Sequence, residues 1–217
     1  MRLIDLSLPI RPHFRWPTEV YQIERYERGF RTTGARIVAH GFTHVDSPLH
    51  LVPGAATINE VPLEQLCGPA AVVDLSHVGD RHAITPADLD RAGAHVVPGD
   101  IVLLRTDLGR RYSWETAEFW EQAPYLTREA AEWFLPLRPK AVGYDFPQDY
   151  VIREMGRRVP DVEEYVAHQV FLRNNILNVE YLTNLDQITR PRVQVYILPL
   201  KLETAEGAPA RAIAILD

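Results

Sequence analysis

The chain contains one cysteine in 217 residues, Cys67. A single thiol closes no internal disulfide, so a fold stapled by crosslinks is excluded. Cys67 stands in EQLCGPAAVV, between a short helical stretch and an apolar strand, and is expected to be a buried structural residue rather than a nucleophile. Positive charge is also scarce: 23 Lys and Arg against 29 Asp and Glu give a formal charge of -6. Such a chain lacks the basic field that nucleic acids and anionic membranes require. The pairs Arg110-Arg111 and Arg157-Arg158 have acidic neighbours and read as solvated surface. Long apolar runs are missing as well. No stretch approaches the roughly 18 residues of a membrane span, and MRLIDLSLPI lacks the h-region and cleavage site of a signal peptide. The expectation is a soluble, cytoplasmic protein.

What is present suits an ordinary core: 46% hydrophobic and 24% charged residues sit near the globular average. The length fits one domain over residues 1–217, with no linker, repeat or low-complexity tract. Short runs rich in Val, Ile and Leu, bounded by Pro, Gly or Asp, predict strands over 2–8, 21–26, 35–39, 70–75, 101–106, 141–144, 176–179, 194–198 and 211–216. Helix signals lie between them. Thr85-Pro86 before ADLDRAG gives an N-cap, a proline at the first helical position and a glycine stop. Thr127 opens a second helix, REAAEWFLPL. Asp161 opens a third, with Val162, Tyr165, Val166 and Val170 at helical spacing. The first 40 residues read as all strand. The pattern predicts a mixed α/β domain rather than a pure doubly wound sheet.

Three of the chain's eight histidines fall within eleven residues, HGFTHVDSPLH at positions 40–50. On an extended chain alternate residues share a face, so His40, His44, Asp46 and His50 would project to one side. Pro48 forbids a regular ladder, and an irregular loop is expected to open here. One histidine alone reads as a polar turn residue. Three with an aspartate on one face do not, because burying so many titratable groups without a metal is costly. Imidazoles with a carboxylate suit Zn or Mn, and a histidine left off the metal can move protons beside it. His82 and His95 lie in polar turns and read as surface, and His77 follows a strand. His168 sits on the third helix between Val166 and Val170, where a core histidine and a ligand are both open readings.

HGFTHVDSPLH resembles the pattern H-x-G-T-H-x-D-x-P-x-H of the cyclase-like metal-dependent hydrolases, the family of bacterial kynurenine formamidase (arylformamidase) and isatin hydrolase. PGDIVLLRTD, AVGYDFPQD, AHQVFLRNNILNVEYLTNL and ILPLKLETAEGAPARAIAI are similar to further family segments, so the resemblance covers most of the chain. It implies a mixed, swivelling β/α/β barrel-like single domain. Position by position it implies metal ligands at His40, His44, Asp46, His168 and Glu180, with Asp46 and Glu180 placed to bridge two ions. It implies His50 as general acid/base and Trp16 as a wall of the substrate pocket, with Phe14 and Phe42 beside it. Two positions depart from the pattern: Phe42 stands at the family's glycine, and Gln148 at the serine of G-I-D-x-x-S. The stretch 149–161 is longer than its formamidase counterpart and is expected to form a lid or a subunit contact.

The resemblance further implies one or two Zn2+ or Mn2+ ions per chain, a small-molecule amide substrate, aromatic ones included, and a homodimer or homotetramer. The expected reaction is hydrolysis of an arylformamide or cyclic amide, with a metal-activated water as nucleophile and His50 handing a proton to the leaving nitrogen. Two alternatives accompany it: a metal-dependent lyase or dehydratase of the same family, and a metal- or ligand-binding relative without turnover.

Overall fold

Seven strands close into a barrel in the computed structural model, which describes residues 1–216. The strands are β1 (Arg2–Asp5), β2 (Glu19–Glu24), β3 (Thr32–Arg36), β4 (His44–Asp46), β5 (Cys67–Asp74), β6 (Ala83–Ile84), β7 (Ile101–Arg105), β8 (Tyr125–Leu126), β9 (Ala141–Tyr144), β10 (Leu177–Glu180), β11 (Arg192–Pro199) and β12 (Gly207–Leu216). The barrel runs β12-β11-β5-β7-β9-β10-β4 and returns from β4 to β12, with β1 added along the other end of β12. Pairings β5–β7, β7–β9 and β9–β10 are parallel, and the rest of the barrel is antiparallel. The strands β2 and β3 form a separate hairpin, and β6 pairs with β8.

The parallel strands are buried on both faces, which is why they read as unbroken apolar runs. Ala70, Val72, Ile101 and Leu103 fill the interior with many small partners from β12, including Ala208, Ala212 and Ala214. Their neighbours Ala71, Val73, Val102 and Leu104 face an outer layer of helices. Those helices are α1 (Pro86–Ala92), α2 (Leu108–Arg111), α3 (Ala117–Glu121), α4 (Arg128–Glu132) and α5 (Val166–Arg173). As expected, Thr85 closes a capping box with Asp88 at the start of α1, and Gly93 ends it. Thr127 caps α4 by accepting from the Ala130 N–H.

Several boundaries differ from the sequence reading. The strand expected over 35–39 ends at Arg36, so His40 lies in a turn. The second helix stops at Glu132 and resumes as a 3-10 turn at Leu135–Leu137, since Pro136 cannot donate to the helix. The third is split: Asp161 and Glu164 cap a 3-10 turn, Tyr165 leaves helical geometry at ψ 74°, and α5 begins at Val166. Two short helices, α2 and α3, were not anticipated. Cys67 is half-buried rather than buried.

Candidate metal centre and cavity

Strand alternation sets up the centre. In β4 and β10, Val45 and Val179 are fully buried in the barrel core, so His44, Asp46 and Glu180 point to the opposite face. The antiparallel register sets His44 opposite Glu180, and Asp46 opposite both Asn178 and Gly207. The predicted common face therefore holds for His44 and Asp46. His40, in the preceding turn, and His50, in the 3-10 turn Pro48–His50, reach the same place by loop geometry instead. Helix α5 packs against β10 and brings His168 over Asp46 and Glu180.

Three imidazoles have one nitrogen aimed at the centre and the other held from behind. His44 Nδ1 donates to the Phe42 carbonyl at 2.8 Å, leaving Nε2 at 3.2 Å from Asp46 Oδ1 and 3.7 Å from Glu180 Oε2. His168 Nδ1 meets Asp149 Oδ2 at 2.6 Å, and its Nε2 lies 3.2 Å from Glu180 Oε1 and 3.5 Å from Asp46 Oδ2. His40 Nε2 meets Glu206 Oε1 at 2.9 Å, with Nδ1 2.7 Å from Asp46 Oδ1. A carboxylate or carbonyl behind an imidazole is the usual support for a metal-ligating histidine. Asp149 and Glu206 were not singled out from the sequence. Each is an acidic residue in a loop, and only the fold reveals what it faces.

The donor set fits a divalent metal. Ligands at about 2.1 Å around one tetrahedral ion lie about 3.4 Å apart, close to the 3.2–3.7 Å separations around Asp46 and Glu180. Asp46 is fully buried, and its Oδ2 has no hydrogen-bond donor, an expensive state for a carboxylate oxygen unless a cation completes it. Two triads, His40–Asp46–His50 and His44–Asp46–Glu180, each bring ligand atoms within 4.8 Å of one another. Charge balance points the same way. Burial would raise the Asp46 carboxyl, but His44, His168 and His40 hold it well below its ordinary value. Burial would lower His40, yet its bonds to Asp46 and Glu206 lift it to about 9. The carboxylates thus favour positive charge on His40 and His168.

The centre opens into a cavity of about 680 Å³. His40, His44, His50, His168 and Glu180 lie in its wall, together with Phe14, Trp16 and Tyr181. The backbone N–H of His50 donates to the Ser47 carbonyl at 3.0 Å, while its ring makes no hydrogen bond among the described residues; the ring stacks on His40 at 3.9 Å and lies 5.6 Å from His168. Desolvation by the surrounding walls lowers its pKa. Phe42, expected beside the substrate, is not in the cavity wall. It is 1% exposed beneath Trp16, ring centroids 4.7 Å apart. Its φ of +59° lies in the left-handed region that favours glycine, which accounts for the departure at this position: the glycine geometry is kept and a ring is packed behind it. Gln148, the second departure, is fully buried and donates through Nε2 to Glu180 Oε1. The segment 149–161 contributes Ile152, Met155 and Gly156 to the cavity wall. His82 bonds Asp88 at the cap of α1, His95 reaches the Val72 carbonyl, and His77 is exposed.

The α/β barrel thus carries a histidine–carboxylate cluster in the wall of a cavity, and the known proteins it resembles are hydrolases. Kynurenine formamidase of Bordetella avium is 32% identical, covering 98% of this chain and 97% of its own. Isatin hydrolase of Roseibium aggregatum is 26% identical, over 91% of this chain and 81% of its own. A solved structure described as a potential metal-dependent hydrolase with cyclase activity superposes with a TM-score of 0.73 at 25% identity, over 98% and 96% of the two chains. The Cyclase family model, described as "Putative cyclase", matches residues 4–148. The chain belongs to the Cyclase family.

Proposed function

We propose that the protein hydrolyses the amide bond of an arylformamide or a cyclic amide, with Zn2+ or Mn2+ held by His40, His44, Asp46, His168 and Glu180. The observation that carries the reading is the orphaned Asp46 Oδ2, buried among imidazoles whose outer nitrogens are already engaged. Asp46 and Glu180 would be the shared carboxylates of such a site; Asp46 Oδ1 faces His40 and His44, and its Oδ2 faces His168. Bound divalent metal would polarise the substrate carbonyl and lower the pKa of water.

The chain's own groups do the rest. Trp16 presents an aromatic wall on which an aryl ring packs. The cavity shields the reacting carbonyl from bulk water, which strengthens every charge contact inside. His50, whose ring makes no hydrogen bond and whose pKa is lowered by burial, takes a proton from the attacking water and returns it to the leaving nitrogen. The His40–Asp46–His50 triad would make His50 a third ligand instead of the acid/base, and one variant separates the two roles. With formanilide as substrate, His50→Ala loses turnover and keeps its metal content if His50 moves protons. Loss of metal, or full turnover, would overturn that role. Absence of metal in the purified protein, with no uptake of Zn2+ or Mn2+, would remove the hydrolase reading altogether.

The proposal includes a homodimer or homotetramer in the cytoplasm. Val20, Tyr21 and Ile23 on the β2–β3 hairpin are exposed apolar side chains that a second copy would cover, and a sedimentation measurement checks it. No helix among the described residues is long and apolar enough to cross a membrane.

A further inference from the structure

Pro9, Pro12 and Pro17 interrupt the segment between β1 and β2 and have no N–H to donate. Among the described residues, none of the backbone groups of 9–17 bonds another backbone group. Yet this segment sets Trp16 into the cavity wall at 6% exposure. Side chains hold it in place of a ladder. Arg11 pairs with Glu115 at 2.9 Å, but both are exposed, and such a pair contributes little. Arg15 reaches the Ile152 carbonyl at 3.0 Å. The third tie is His13, half-buried and apart from the metal centre.

The His13 ring stacks on Trp16, 4.5 Å between centroids and 29° between planes, and on Trp114 at 5.2 Å and 20°. Trp114 belongs to the loop between α2 and α3. The imidazole also uses both nitrogens. Nδ1 accepts from the Arg15 backbone N–H at 3.2 Å, so it carries no proton. Nε2 lies 3.1 Å from the Trp114 carbonyl, which can only accept, so Nε2 donates. One state satisfies both contacts: the neutral ring with its proton on Nε2. An imidazolium would set an Nδ1–H against the Arg15 N–H. The charges facing the ring are Arg11 and Arg15 from its own segment and Glu115 from the Trp114 loop. Helix α3 offers it Trp120, with Glu118 engaged by Thr116 and Glu121 by Arg157. The 40–46 stretch offers it only Phe42. Desolvation by burial holds the His13 pKa below its ordinary 6.5, against the pull of the Trp114 carbonyl and Glu115.

We infer that His13 is the positioning residue for Trp16: its two hydrogen bonds pin 13–16 to the Trp114 loop and set the angle of the aromatic wall, and protonation of the ring releases that wall. His13 acts through Trp16 and touches no reacting atom. The inference rests on the proposed hydrolase reading for its effect on turnover, but not for the pinning of Trp16. The wall is ordered while His13 is neutral and loosens in acid, below the ordinary histidine range.

The test is nitrogen NMR of the histidine rings and tryptophan indoles in the protein as purified, with the Trp16 signal assigned through Trp16→Phe. Wild type is expected to carry the His13 proton on Nε2 at neutral pH and to titrate below 6.5, with the Trp16 signal moving in step. His13→Asn still offers an acceptor to the N–H two residues on but does not titrate, so its Trp16 signal should hold still across that window. His13→Phe keeps the stack and loses both hydrogen bonds, so its Trp16 signal should be displaced at every pH. Its KM for formanilide should rise about fivefold with kcat unchanged, while His13→Asn stays nearer wild type. A proton on Nδ1 in wild type, or a Trp16 signal that ignores the His13 titration, overturns the inference with no variant needed. So does a wild-type Trp16 signal or a wild-type KM in His13→Phe, since the ring then only fills space. If wild type cleaves no formanilide, the hydrolase reading falls and the Trp16 signal alone decides the role of His13.

Discussion

Replacing Gly207 by alanine should damage the proposed metal centre without altering the identity of any proposed ligand. Gly207 is the first residue of β12, and its ordinary φ gives no conformational reason for glycine. The reason is space. A Cβ built there would lie 2.7 Å from His40 Cε1, 3.3 Å from His40 Nδ1 and 2.8 Å from the Val45 carbonyl oxygen. Carbon contacts settle at about 3.5–4.0 Å, so the overlap with the imidazole is roughly 1 Å. The Val45 carbonyl belongs to a paired strand and cannot retreat, because Ala208 lies opposite it. The ring must therefore swing off the line between Asp46 and Glu206. Overpacking of this kind costs about 1–3 kcal/mol, and for a chain of this length each kcal/mol lowers Tm by roughly 2–4 °C. Losing the support of one ligand weakens metal binding by about 10–100-fold. The assay is metal affinity by competition with a chromophoric chelator, alongside thermal denaturation. Gly79→Ala is the control, since nothing lies within 4 Å of its Cβ position. Wild-type affinity and Tm in Gly207→Ala would falsify the claim that His40 is held by close packing.

Asp149→Asn replaces an acceptor that serves both the His168 ring and the Ala167 N–H. It should lower the affinity for one metal equivalent by about 10–100-fold, visible as a loss of stoichiometry in elemental analysis; two tightly held equivalents would sink this. Phe42→Gly relieves about 1 kcal/mol of left-handed strain but removes a buried ring worth about 3–5 kcal/mol. The variant should melt lower by a net of about 2–4 kcal/mol while metal affinity holds, because His44 bonds the backbone carbonyl of residue 42. Asp88→Ala should cost about 1 kcal/mol by opening the capping box of α1. Burial would raise the Asp88 carboxyl, but the Thr85 N–H and His82 bring it down to about 2. Its contribution is therefore complete above its ordinary pKa and lost as pH falls from about 4 through 2. A wild-type-minus-variant difference in denaturation midpoint that stayed constant across that window would refute it.

The barrel strands were legible because burial on both faces leaves runs such as AAVV and IVLL, and the capping signals at Thr85 and Thr127 marked helix starts correctly. The short strand β4 was legible only as chemistry: its residues announced themselves as His and Asp, and Pro48 argued against a regular ladder. The alternation argument placed His44 and Asp46 rightly. It does not explain His40, which a turn carries into place, nor His50, which a 3-10 turn carries. What escaped the sequence altogether were Asp149 and Glu206, the supports of His168 and His40. Neither has a local pattern, since each acts on a partner 19 or 166 residues away. The substitution of Phe42 for glycine looked like a change at the substrate. In the fold it is a change in packing beneath Trp16, and Gln148 is the departure that contacts a proposed ligand, Glu180, directly.

The closure of the barrel has a consequence for how the protein comes into being. Synthesis runs from the N-terminus, so His40, His44, Asp46, His168 and Glu180 all exist before Gly207–Leu216 is made. Until β12 arrives, β4 has only β10 beside it along 44–46, and His40 lacks both Glu206 and the close wall of Gly207. A chain still emerging from the ribosome holds every proposed ligand but no finished centre. The His40 corner of the proposed metal site is thereby completed only when the last barrel strand is in place, and the final step of folding doubles as the step that finishes that site.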